Sequence, residues 1–261
     1  MTQSPLLSWR RLTRAERICL IVLLATPVVC LLLPYTAQDQ AYHTFADRRA
    51  LLGIPNAADV FSNVAFLLVG TIGVVLLRSS NRARFPATTE ASLWCVMLGL
   101  LGTAAGSAWY HVDPNDATLF WDRLPMTLIF TGVICAALAQ RVGGSVARAG
   151  LALLFGLGIA SVVYWRVTGN LSPYLTLQFG GIVALLALLL ATPRAADPFP
   201  WAWVIAWYAL AKVVEVFDER IWQASGGLVA GHTLKHIAAA TAGAALLMPL
   251  ASRAVRRASA T

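Results

Sequence analysis

Apolar residues run along this chain in stretches of roughly 17 to 25, each long enough as a helix to cross about 30 Å of hydrocarbon. Eight such stretches are predicted as spans, at 18–35, 57–77, 92–111, 117–139, 149–167, 172–191, 199–217 and 229–250. Breakers separate them: Pro34, Gly53 to Pro55, Asn81 to Pro86, Pro114 to Asp116, Gly143-Gly144, Pro193 to Pro200, and Gly226-Gly227. No internal repeat and no low-complexity segment interrupts the pattern. An all-α integral membrane protein is expected, with no soluble domain left to place.

Composition agrees. The chain is 58% hydrophobic and 12% charged over 261 residues, against an apolar share of about 45–50% for ordinary soluble domains. Cys19, Cys30, Cys95 and Cys135 all fall inside apolar stretches without CxxC spacing, so they read as small buried hydrophobes. The net charge of +8 comes from short clusters at helix ends; with no basic stripe or recognition motif, nucleic acid is excluded as a partner.

Those clusters set an expected orientation. Arg10, Arg11, Arg14, Arg17, Arg78, Arg82, Arg84, Arg141, Arg148, Arg194, Arg253, Arg256 and Arg257 share one side with only Glu16, Glu90 and Asp197. That side carries +10 and the other −2. Positive flanks are retained in the cytoplasm, so both termini are expected there. The first stretch could serve as a signal peptide, but no small-x-small cleavage site follows it, and it is read as a retained helix.

Polar residues then gather at one depth. His111 ends the third span, Asp122 lies about two turns into the fourth, and His232 and His236 open the eighth, all at non-cytoplasmic ends. Asp59, Ser62 and Asn63 join them from the second span, and Lys212, Glu215 and Asp218 from the seventh. An ionisable group at the centre of a span costs about 2.5–3.5 kcal/mol on insertion scales, so such groups face the bundle interior and act there.

His232 and His236 are i, i+4, which puts both rings on one helix face and lets them hold one metal ion. With His111 they make a three-His set with an open fourth position for water, as catalytic zinc requires; zinc draws that water's pKa towards 7, and Asp122 is the carboxylate placed to take its proton. Simpler readings stand beside this one. An HxxxH pair can hydrogen-bond between helices or carry protons. Ser107 can belong to a small-residue face with Gly99, Gly102, Thr103 and Gly106 that admits another helix. Asp122 can pair with Arg123, Lys212 with Glu215, and Asn115 and Asp116 can cap a helix. Trp109, Tyr110, Trp121 and Trp222 read as interface aromatics.

The order S-x-x-x-H (Ser107, His111), Asp122, then H-x-x-x-H (His232, His236), together with "SNVAFLLVG" from Ser62 and "SGGLVAGHTLKH" from Ser225, resembles the CREST superfamily of seven-helix membrane hydrolases, which includes the alkaline ceramidases. The resemblance covers roughly residues 53–250. It implies a seven-helix bundle (53–250) preceded by an extra transmembrane helix and outer loop (1–52) and followed by a basic cytoplasmic tail (251–261). It further implies zinc on His111, His232 and His236, Asp122 activating the bound water, Ser107 stabilising an oxyanion, and hydrolysis of a ceramide-like membrane lipid. Asn56 stands where ceramidases have Glu, and "TAQDQAYHTFADRRA" is unlike their calcium-binding stretch, which leaves calcium regulation without support.

Two other functions are open to the sequence. One is a receptor or signalling protein with a structural metal site. The other is a transporter with a proton relay, which calls for helices broken at mid-membrane in paired repeats; the sequence shows none. Ala, Arg and Leu usage suggests a bacterial inner membrane, with the metal site near the non-cytoplasmic face. Oligomeric state is not legible.

Overall fold

The computed structural model describes residues 12–79, 85–192 and 197–251. Among them every regular element is helical: α1 Arg14–Leu32, α2 Ala57–Ser62, α3 Val64–Arg78, α4 Ala87–Val112, α5 Asp116–Arg141, α6 Gly144–Thr168, α7 Ser172–Leu175, α8 Gly181–Ala191, α9 Trp201–Val216, α10 Asp218–Ala224 and α11 Gly231–Ala245. This is an all-α, multi-pass integral membrane protein.

Six units among the described residues are long and apolar enough to cross a bilayer: 14–32, 57–78, 87–112, 116–141, 144–168 and 172–191. The expectation of eight spans is corrected on the last two. The α9 helix has 16 residues and α11 has 15, short of the usual 17–25. The first stops at Phe217, where the chain turns into the polar α10, and the second loosens into a turn at Leu246. Both also carry the ionisable residues of the layer, which lowers their apolar content. Of the basic residues that set the expected orientation, Arg10, Arg11, Arg82, Arg84, Arg194, Arg253, Arg256 and Arg257 lie outside the described residues, as does the expected tail beyond 251.

Two spans are not continuous. The 57–78 unit is interrupted at Asn63, between α2 and α3, where the Asn63 amide turns back to the Asp59 carbonyl at 2.8 Å. The 172–191 unit widens into a π turn at Thr176–Gly180 between α7 and α8. Neither break needs Pro or Gly at its centre, which is why the pattern of breakers did not reveal them.

The centre of the fold is the α4–α5 hairpin, with α3 on α4, α6 on α5, and α11 held between α9 and α3. The expected small-residue face explains how closely the hairpin closes. Pro125 lies inside α5 and has no N–H to give the Trp121 carbonyl. Gly106 packs against that freed carbonyl, while Gly99 and Gly102 pack against Pro125 itself. At the start of α5, Asn115 is the cap; its side chain accepts from the N–H groups of Ala117 and Thr118. Asp116 is not the cap, and its carboxylate instead meets His43 at 3.1 Å.

At the opposite end of the bundle from His111, Arg141 Nε donates to Asp197 at 2.6 Å, with both side chains nearly buried. The same carboxylate takes the Trp201 indole N–H at 2.9 Å and the Phe199 N–H at 3.0 Å, so it ties α5 to the start of α9. Asp197→Ala leaves Arg141 buried without its counter-charge. A loss of about 3–5 kcal/mol is expected, read as a lowered midpoint in detergent-induced unfolding.

Candidate functional site

His111, His232 and His236 meet at the end of the bundle, all buried. The i, i+4 spacing turns both α11 rings toward α4, where His111 occupies the last turn. Ring centroids stand 4.8, 4.9 and 5.0 Å apart, so the rings form a near-equilateral triangle. One ring nitrogen from each lies within 4.8 Å of the other two. His111 Nε2 and His236 Nε2 are 3.3 Å apart.

Neighbouring groups set the tautomers. Ser62 Oγ donates to the Asp59 carbonyl at 2.8 Å, so it accepts from His236 Nδ1 at 2.7 Å. That leaves the Nε2 lone pair of His236 facing the trio. An imidazole held in this way is the arrangement found in metal ligands. His111 Nδ1 is buried with no hydrogen-bond partner, while the His111 carbonyl accepts from Asn56 Nδ2 at 2.9 Å. Asp218 fixes the start of α11 by accepting the His232 N–H at 2.7 Å. Gly231 makes that approach possible, because a side chain there would run into the Val214 carbonyl.

Beside the trio lies a cavity of about 360 Å³ walled by Phe66, Leu100, Met126, Phe130, Leu177, Leu185 and other apolar side chains. Its polar residues include Ser107, Asp122, Lys235 and His236. Ser107 and Asp122 line this cavity from α4 and α5, which close on each other at Gly106. Arg123 does not pair with Asp122. It faces the other way, to Gln38 at 2.6 Å and over the Trp165 ring at 4.5 Å.

Lys212 meets Glu215 at 2.7 Å, as the spacing suggested. Sequence reasoning missed Lys235, which reaches Glu215 at 2.8 Å and His232 Nε2 at 3.2 Å. Its signal was available, because it sits i+3 from His232 on the same helix. Asp59, also in the expected layer, is fully buried and accepts from the Thr233 hydroxyl at 2.6 Å. Trp109 and Trp121 are exposed and stacked, as interface residues should be. Tyr110 is not an interface residue; it is buried, and its hydroxyl meets His43 at 3.0 Å. Above the trio, burial acts to raise the Asp47 carboxyl, but the Arg49 guanidinium and N–H outweigh it and hold it below the ordinary carboxylate range.

No family model matches the chain. Among curated proteins it is 27% identical over 97 residues to WAT1-related protein At2g37460 of Arabidopsis thaliana, covering 34% of this chain and 26% of that protein. It is 23% identical over 97 residues to WAT1-related protein At2g37450 of the same plant, covering 34% and 29%. The chain spans less than a third of the length of these curated relatives.

The resemblance to the CREST superfamily is corrected by these findings. With it go the ceramidase reading, the zinc amide hydrolase, the catalytic roles it implied and the place in sphingolipid metabolism; the receptor alternative gains no support either. The reason is physical. S-x-x-x-H and H-x-x-x-H are the spacings by which any α-helix sets two polar side chains on one face, so their order along a membrane chain does not single out one chemistry.

Proposed function

We propose that the chain is a transporter-like membrane protein that admits an amphipathic small molecule to its cavity, and that His111, His232 and His236 hold a zinc ion beside that molecule's polar end. One observation carries the reading: the cavity is apolar along its walls and closes on Ser107, Asp122, Lys235 and His236. Its volume falls within the 300–1,000 Å³ of ordinary ligand sites. The π turn at Thr176–Gly180 supports a functional wall, since Leu177, Gln178 and Phe179 line the cavity and π turns recur at functional sites. The partial likeness to two WAT1-related proteins accompanies this reading and assigns no substrate.

Zinc is supported by the donor set. Two nitrogens at about 2.0–2.1 Å from a tetrahedral ion lie about 3.3–3.4 Å apart, which matches the 3.3 Å between His111 and His236; the three donor atoms lie within 4.8 Å of one another, and His232, whose Nε2 meets Lys235 at 3.2 Å, would draw in to complete the set. Once bound, such an ion offers an electrophilic open position to a polar atom of the ligand. The chain's own residues do the rest. Lys212 and Lys235 share the single Glu215 carboxylate and keep positive charge next to the trio, and Asp122 with Ser107 offers hydrogen bonds on the facing wall. The topology that goes with this reading counts α9 and α11 as two further, shorter crossings. It places both termini in the cytoplasm of a bacterial cell and the histidines at the far face of the inner membrane.

The test is native mass spectrometry of the purified protein, followed by uptake of whatever amphiphile co-purifies into proteoliposomes. Ala239→Trp, which fills the cavity wall, is expected to lose both the bound molecule and its uptake. Retention of both by the filled variant overturns the proposal. So does chemical conversion of the molecule by the wild type.

A further inference from the structure

Between α1 and α2 the chain lies across the histidine end of the bundle, anchored at several points. Gln38 accepts from Arg123, whose guanidinium lies over the Trp165 and Tyr174 rings at 4.5 and 5.1 Å. The Tyr42 hydroxyl donates to Glu215 at 3.3 Å. His43 bridges Tyr110 at 3.0 Å and Asp116 at 3.1 Å. The Ala46 N–H donates at 3.0 Å to Asp218, the carboxylate that also holds the His232 N–H. Arg49 reaches the Leu228 carbonyl at 3.2 Å and lies 4.6 Å over the Trp222 ring.

At the centre of this strap sits Phe45, 4% exposed. Its ring centroid is 4.6 Å from that of His111 and 4.8 Å from that of His232. It also meets Tyr110 edge-on at 5.8 Å. No residue of 36–56 lines the cavity, which reaches the trio from its His236 side. The trio therefore has two approaches of different character: an apolar cavity on one side and a phenyl ring pressed on two imidazoles on the other.

We propose that residues 36–56 are a strap with Phe45 as its stopper, and that a cation enters or leaves the histidine trio on that side only when the strap lifts. The proposal rests on the metal reading above for its cation, not for its geometry. A phenyl ring in contact with two imidazoles keeps water from them, and a hydrated cation has nowhere to exchange its ligands until the ring moves. Lifting is a local event. The strap's polar anchors at Asp116 and Arg49 are solvent-exposed, with side chains 45% and 56% accessible, and such contacts open at a fraction of the global unfolding free energy. Arg123, buried among aromatic rings, remains as the hinge end.

The experiment uses the full chain, loaded with zinc and mixed with excess EDTA, with release followed over time. Phe45→Ala is expected to lose zinc on the order of tenfold faster than wild type, because the opening step no longer has to remove the ring. Phe45→Leu keeps an apolar stopper and should stay close to wild type. A second readout needs no metal: after EDTA stripping, acylation of His111 and His232 by diethyl pyrocarbonate, mapped by peptide mass spectrometry, should accelerate in Phe45→Ala alone. Wild-type rates for Phe45→Ala in the acylation assay overturn the strap, whatever the metal result. A wild type that takes up no zinc sinks the metal reading, and the acylation rates still decide the stopper.

Discussion

His236→Ala is expected to yield protein without bound zinc, where wild type purified under the same conditions carries close to one ion per chain by elemental analysis. His236 is the best-prepared of the three rings. Its Nδ1 is committed to Ser62, its Nε2 faces His111 at 3.3 Å, and burial keeps water from substituting for it. Removing it leaves two protein donors on two helices, too few to displace the hydration shell of the ion. Ser62→Ala isolates the supporting contact: the ring stays but its tautomer is no longer fixed, and affinity should fall by roughly 10–100-fold. Zinc retained at full stoichiometry by His236→Ala, or missing from wild type, refutes the assignment.

Much of this site was legible because helices are regular. The spacing of His232 and His236, and the placement of His111 at the end of an apolar stretch, follow from 3.6 residues per turn, and the structure brings those three rings within reach. Residues whose position depends on tertiary contact were not legible. Segment 36–56 has no apolar period, so nothing marked Phe45 as buried or Tyr110 as its neighbour. At Asn63 and at Thr176 a side chain donates to the carbonyl four residues back, Asp59 and Ser172, and neither break needs a proline to announce it. Lengths failed where local backbone decides: α9 begins only after Pro200 and stops at Phe217 before the polar α10, and α11 stops at Ala245, where the apolar chain loosens into a turn at Leu246. Function was least legible, since polar pairs at helical spacing serve many ends in a membrane.

The second large effect is expected from Gly106→Ala, a substitution that touches none of the polar groups in the site. An added Cβ would stand 2.0 Å from the Trp121 carbonyl oxygen and 3.2 Å from the Asp122 nitrogen, both backbone atoms that cannot rotate away. The helices have to part. Overpacking of a tight contact costs about 1–3 kcal/mol, and backbone on both sides puts this case near the upper figure. Gly156→Ala is the control: nothing lies within 4 Å of its added methyl, and a helix interior gains roughly 0.5–1 kcal/mol from the exchange. Unfolding midpoints in a denaturing detergent titration should therefore move in opposite directions. Because Gly106 directly precedes Ser107 on the helix whose last turn carries His111, parting α4 from α5 should also weaken zinc binding in the folded protein. An unshifted midpoint together with unchanged zinc affinity in Gly106→Ala contradicts the close helix contact on which the placement of Ser107, Asp122 and His111 depends.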